Sequence, residues 1–166
     1  EAGRGVRFLR EYDMLRWTKA GAAEGAAGFA YEATEETGEL AVPEAGGRLV
    51  FRRIRREAGQ PLPGPEPDSR RAAMFDEDAV AYPLCVRSRR PGDRMRLSGL
   101  NGSKKVQDIF VDGKVARSRR DRIPLVLDAE GRLLWIAGLR RSADAPVTRD
   151  TTRILRIEWQ DEPLEV

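Results

Sequence analysis

Arg87, Arg89, Arg90 and Arg94, then Lys104 and Lys105, then Lys114, Arg117 and Arg122 all fall within residues 85–122, a stretch holding twelve Lys and Arg against four Asp. It carries +8 in a chain whose formal net charge is +3, so the other 128 residues sum to about −5. Charge divided this sharply along a chain builds a surface for a polyanion, because neutralising phosphates releases condensed counterions whatever the base sequence. Guanidinium forks suit that task through bidentate phosphate contacts and stacking on bases. The chemistry implied is recognition and not bond breaking. The chain has no histidine, which excludes Ser-His-Asp and Cys-His catalysis, and one cysteine without histidine excludes the usual structural zinc sites. Asp108, Asp112 and Lys114 form the one combination with metal-nuclease character, but no further acidic ligand lies within reach by sequence. No catalytic residue and no metal ligand is expected.

The elements that position these cations are legible in part. PLCVRSR is a short strand, and RPGDR follows with Pro91 and Gly92 in a tight turn. Beyond Gly99 and Gly102, Ser103 is the expected N-cap of a helix whose apolar stripe is Val106, Ile109 and Phe110. Gly113 then takes the left-handed position after its end, with Asp112-Gly113 as a hairpin turn the alternative. On that reading Lys104 and Lys105 occupy the first helical turn, where an anion among the free N–H groups would offset their opposition to the helix dipole. SRRD, residues 118–121, has the form of a capping box opening one more helical turn before Ile123-Pro124. Asp93 and Asp121 are expected to orient neighbouring arginines or cap turns.

Elsewhere, IPLVLDAEGRLLWIAG is a hairpin, and TTRILRIEW supplies a closing strand by alternation of Leu155, Ile157 and Trp159 with Ile154, Arg156 and Glu158. GELAV and RLVFRRIRR flank a PEAGG turn, and GFAYEAT precedes them as a strand. VRFLREYDMLRW fits neither period. Cys85 begins an apolar run and is expected to serve as a small buried hydrophobe. Prolines at 61, 63, 65 and 67 mark an extended connector. The expected fold is α+β, mainly antiparallel β hairpins with short helices, in two small subdomains: 1–58, a Pro-rich linker at 59–71, and 72–160.

Forty per cent apolar residues suffice for a core, while 34 per cent charged residues and no apolar run of eighteen argue against a membrane span. Glu1 stands where an initiator Met would, and a parent protein longer than this chain is expected.

VRSRRPGDRMRLSGLNGSKKVQDIFVDGKVARSRRDRIPLVLDAEGRLLWIAGLRR, with its RPGDR turn, GSKK step, DxKV step and RDRIPLV strand entry in order, resembles the C-terminal domain of bacterial tRNA(Ile)-lysidine synthetases. MFDEDAVAYPLCVRSR fits the approach to that domain, and the specific similarity covers roughly residues 74–141. The resemblance implies a parent ligase that uses ATP with Mg to adenylate the wobble cytidine of a CAU-anticodon isoleucine tRNA and then joins free lysine to it. That chemistry belongs to an N-terminal PP-loop domain with an SGGxDS motif, which this sequence does not contain. The chain itself then needs no cofactor. Its implied role is to hold the tRNA acceptor stem through A-form shape and phosphates, in the cytoplasm, beside a catalytic domain elsewhere in the parent. Arg87, Arg90, Gly92, Asp93, Arg94, Gly102, Lys104, Lys105, Asp108, Lys114, Arg117, Arg122 and Arg140 match the family pattern. The expected tRNA contacts are Arg87, Arg89, Arg90, Arg94, Lys104, Lys105, Lys114, Arg117, Arg122 and Arg140. Leu97-Ser98-Gly99 and Val115-Ala116-Arg117 each lack a proline the family favours, which bears on loop conformation and not on charge. Two alternatives are an RNA-binding domain of another tRNA enzyme, such as a phenylalanyl-tRNA synthetase β subunit, and a basic module that docks an acidic protein.

Overall fold

The computed structural model describes residues 28–62, 64 and 70–163, together with the strand backbones Val6–Leu9 and Arg16–Lys19. Residues 63 and 65–69 of the expected connector and residues 10–15 of the VRFLREYDMLRW segment lie outside the described residues. In chain order the strands and helices are β1 (Val6–Leu9), β2 (Arg16–Lys19), β3 (Ala30–Ala33), β4 (Glu39–Val42), β5 (Gly47–Arg55), β6 (Ala72–Asp76), β7 (Leu84–Arg87), β8 (Arg94–Arg96) and β9 (Ser103–Lys105). They continue as α1 (Val106–Asp112), α2 (Arg117–Arg120), β10 (Leu125–Leu127), β11 (Leu133–Ile136), β12 (Arg140–Arg141) and β13 (Arg153–Asp161).

The strands form two larger sheets and one hairpin. A seven-stranded sheet runs β1-β2-β3-β7-β10-β11-β12, a four-stranded sheet runs β4-β5-β13-β6, and β8 pairs with β9. Every pairing is antiparallel, so the expected α+β class with short helices is what the chain adopts.

Alternation explains the first core. Tyr31, Leu84, Val86, Val126 and Leu134 of the large sheet meet Leu40, Leu49, Phe51, Phe75, Leu155 and Ile157 of the small sheet, and all are buried. The other face of β10 and β11 carries Leu125, Leu127, Leu133 and Ile136, which pack against Met95 and Leu97 and against Val106, Ile109 and Phe110 of α1. That hairpin is covered on both faces, which is why its strands are unbroken apolar runs instead of alternating ones. Cys85, half-buried, packs against this second cluster, and burial pushes its thiol pKa up.

The boundary expected at the connector does not separate two cores. β3, from before it, pairs with β7, from after it, and β5 pairs with β13 along their full lengths. Each of the two larger sheets takes strands from both segments, so neither sheet is complete without both. Arg141 ties the layers further. Its guanidinium lies 4.2 Å from the centroid of the Phe75 ring and donates to the carbonyl oxygens of Met74 (2.7 Å) and Ala145 (2.9 Å). Burial lowers its pKa to about 10, against the opposing pull of Asp144, so it stays charged at neutral pH.

Local chemistry overturns three expectations around α1. Ser103 is not a helix cap: Ser103–Lys105 is extended and pairs with Arg94–Arg96, and Ser103 Oγ accepts from Arg94 Nε at 2.7 Å. Met95 is buried between exposed Arg94 and Arg96, a strand pattern, and Gly99 and Gly102 take φ of +83° and +101° in the connecting loop. The helix starts two residues later than a cap at Ser103 predicts, at Val106, with extended Lys105 before it. Gly113 has φ −79°, and Lys114 takes the left-handed conformation at φ +56°. Glycine at 113 answers to packing, since a Cβ there would lie 2.9 Å from Leu139 Cδ1. The helical turn near SRRD forms as α2, but its cap position is Ala116 and no side chain caps it.

Gly47 offers a test of sheet packing. A Cβ there would press inside van der Waals contact with the Gln160 carbonyl oxygen and the Trp159 ring. Gly47→Ala is expected to destabilise the fold by about 1–3 kcal/mol in urea titration, the cost of overpacking a filled site. A change of a few tenths would show that the β5–β13 edge yields.

Candidate nucleic-acid interface

Asp93 organises the basic turn. Its two carboxylate oxygens accept from Arg87 Nη2 at 2.8 Å and Nη1 at 2.9 Å, and Oδ2 also accepts from the Arg90 backbone N–H. The Asp93 N–H donates to the Arg90 carbonyl at 3.1 Å, and Gly92 takes φ +88°. Burial would raise the Asp93 carboxyl, but the Arg87 fork, the Arg90 amide and both positive charges outweigh it and hold it below the usual range. The end of β7 and the RPGDR turn are thereby locked together before any ligand arrives.

Arg87 therefore leaves the set of expected contacts: it is 7 % exposed and both terminal nitrogens are engaged on Asp93. Alternation along β7 puts it on an inner face, where a cation persists only when paired. Arg89 donates from Nε to Asp121 at 2.9 Å and lies 5.8 Å from the Phe110 ring centroid, so it is partly occupied. The expectation that Asp93 and Asp121 orient arginines matches this geometry. Lys104 pairs with Asp112, which also removes Asp112 from the metal-nuclease combination. Arg94 is exposed but pinned across the hairpin, with Nη2 on the Ser103 carbonyl at 2.9 Å. Arg90, Lys105, Lys114, Arg117, Arg122 and Arg140 are exposed, and none makes a side-chain ion pair with a described residue.

Three of the four Asp in residues 85–122 are thus taken up by Arg87, Arg89 and Lys104, and Arg96 is paired with Asp144 from outside the stretch. Eight of the twelve cations have no carboxylate partner among the described residues: Arg90, Arg94, Lys105, Lys114, Arg117, Arg119, Arg120 and Arg122. The fold spends its local acids on shaping the surface and leaves the cations facing outward.

Arg90 and Lys105 come together with Arg89 in a cleft of about 440 Å³, bounded by the RPGDR turn, the start of α1 and Asp121. The expected gathering of the turn arginines and the lysine pair is realised here by Lys105, through a strand end and not a helix start. A second cleft of about 680 Å³ takes Arg122 together with Arg70, Arg71 and Arg119. Those last three were not among the expected contacts. Arg119 was visible as part of the SRRD run, whereas nothing local signals that residues 70 and 71 return to its neighbourhood.

The family model for the TilS substrate C-terminal domain matches residues 84–159. A crystal structure of a TilS C-terminal domain superposes with a TM-score of 0.69 at 32 % identity, covering 81 % of this chain and 99 % of that one. This chain belongs to the TilS C-terminal domain family. The tRNA(Ile)-lysidine synthases of Geobacillus kaustophilus and Bacillus subtilis are 45 % and 44 % identical to it over 87 and 86 residues, 52 % of this chain in each case. The chain spans about a fifth of the length of these curated relatives, 19 % and 18 %. An N-terminal fragment of a phenylalanyl-tRNA synthetase β subunit from Pyrococcus horikoshii shares the fold, with TM-score 0.57 at 16 % identity over 67 % of this chain. That likeness is one of architecture, and the higher identities lie with the TilS relatives. In this TilS C-terminal domain the match over 84–159 contains both clefts' basic turns and α2, while β3 to β6 complete the sheets beneath them.

Proposed function

We propose that this chain is the tRNA-holding C-terminal portion of a tRNA(Ile)-lysidine synthase, and that it grips the acceptor stem of the CAU-anticodon isoleucine tRNA in the cytoplasm. A catalytic domain elsewhere in the parent would perform the ligation of lysine to the wobble cytidine, with ATP and Mg. The observation that carries this reading is the set of eight cations without carboxylate partners among the described residues, on and after a turn held rigid by Asp93. A-form duplex offers phosphates and 2′-hydroxyls to such a surface, and a preshaped surface loses little entropy on meeting them. Binding energy gathered at the acceptor stem then positions a distant anticodon for chemistry.

The test is a salt series of affinities for minor isoleucine tRNA, initiator methionine tRNA and versions with exchanged acceptor stems. Affinity is expected to follow the acceptor stem and to fall steeply with salt. Affinity that follows the anticodon stem, or no RNA binding at any salt, would overturn the assignment, the latter favouring an acidic protein partner.

A further inference from the structure

One helical turn separates the two clefts. The cleft at the RPGDR turn sets Arg89, Arg90 and Lys105 against Asp93 and Asp121, with Pro91 and Val106 also in its lining. The second cleft has an apolar floor that includes Ile123, Leu139 and Trp159, and a rim of Arg70, Arg71, Arg119 and Arg122. Its lining holds four arginines and one carboxylate, Asp161. Both oxygens of Asp161 are engaged, Oδ2 by Arg71 Nη2 at 2.6 Å and Oδ1 by Trp159 Nε1 at 2.9 Å. Arg119 and Arg122 are exposed and form no ion pair with a described residue, so their charge is directed at the cleft mouth. Its volume of about 680 Å³ lies within the ~300–1,000 Å³ typical of sites that enclose a small organic group.

An apolar floor beneath arginines suits a base that has left its stack: the floor takes the ring's hydrophobic face, the guanidinium planes stack or pair, and the phosphates meet the rim. A stacked duplex presents no such face, whereas an acidic peptide would use the rim and leave the floor without a purpose. Position supports the same occupant. Asp121 lines the first cleft, and Arg119 and Arg122 on either side of it line the second, so α2 and the residues just after it form the wall between them.

The geometry points to the second cleft as a binding site for unpaired nucleotides that continue from the duplex held at the first cleft. This rests on the duplex-binding role proposed above and adds a separate ligand to it. RNA crossing α2 from one cleft to the other changes from phosphate-only recognition to base enclosure.

The test compares a blunt RNA hairpin with the same hairpin bearing a single-stranded extension of about four nucleotides at its 3′ or 5′ end, by fluorescence anisotropy with the whole chain. One extension is expected to raise affinity by at least about fivefold, the effect of ~1 kcal/mol from a single stacked base. Arg119→Gln with Arg122→Gln should lower the affinity of both hairpins but cost the extended hairpin more, so that the gain is lost. Leu139→Ala, which trims the floor and its packing beside Gly113 but removes no charge, should reduce the gain without changing the salt dependence. Equal affinity for blunt and extended hairpins overturns the site while leaving the duplex reading intact. Failure of both hairpins to bind overturns the duplex reading itself. A glutamate-rich peptide that displaces the extension and binds more tightly than it would reassign the cleft to a protein partner.

Discussion

Arg87→Ala is expected to destabilise the fold by about 3–5 kcal/mol, because it leaves the largely buried Asp93 carboxylate without its bidentate partner and with only exposed Arg90 as a nearby charge. Asp93→Asn should act in the same direction by orphaning Arg87, and Arg87→Lys should recover only part, since an ammonium cannot span both oxygens. Urea unfolding measures all three, and a loss below about 1 kcal/mol would place the pair with exposed bridges. The pair also sets a pH dependence. The folded Asp93 and Asp128 carboxyls lie below their ordinary range: burial opposes this in both, and the bonds from Arg87 and Arg132 prevail. The unfolded chain therefore binds protons first on acidification. Stability from these groups is complete above the free carboxylate range, near 3.9, and is lost as pH falls through their lower folded values. Stability that was flat from pH 5 down to 2 would contradict this account.

The second large effect falls on affinity. Arg90→Glu with Lys105→Glu is expected to weaken tRNA binding by about two orders of magnitude, taking ~1.4 kcal/mol for each charge-assisted contact as a tenfold factor. The slope of log affinity against log salt should shrink by roughly 1.4–1.8, the loss of two phosphate contacts. Thermal stability should hardly change, since neither side chain pairs with a described carboxylate. Lys104→Glu alone should have the smaller effect, because Lys104 is already directed at Asp112. An unchanged salt slope in the double variant would remove the first cleft from the interface.

The hairpins were legible because their signals are local: apolar runs on either side of DAEG and PEAGG, and the stripe Val106, Ile109, Phe110. Ser103–Lys105 was misread because Gly-Ser-Lys-Lys satisfies a capping pattern as well as it does a loop-to-strand step, and only pairing with Arg94–Arg96 decides between them. Arg87 and Arg90 look alike in an RSRR run, and the difference between a buried strut and an exposed contact is that Arg87 ends β7 and is held on Asp93, whereas Arg90 lies in the turn beyond the strand. Net charge overstated the free cations of residues 85–122, since three Asp within the stretch and Asp144 outside it take their share. No local pattern reports that β5 and β13 pair across the connector.

That pairing joins residues 98 to 114 positions apart, Arg55 with Arg153 at one end and Gly47 with Asp161 at the other. On the ribosome, β5 of the β4–β5 hairpin emerges with one edge unpaired, because the strand that hydrogen-bonds to it is made about a hundred residues later. Translation at ~5–20 residues per second leaves that edge without its partner for several seconds. Loop closure over such a span also makes the step slow by nature. The domain is thus built to be finished last, and during synthesis it is a natural client for holding chaperones.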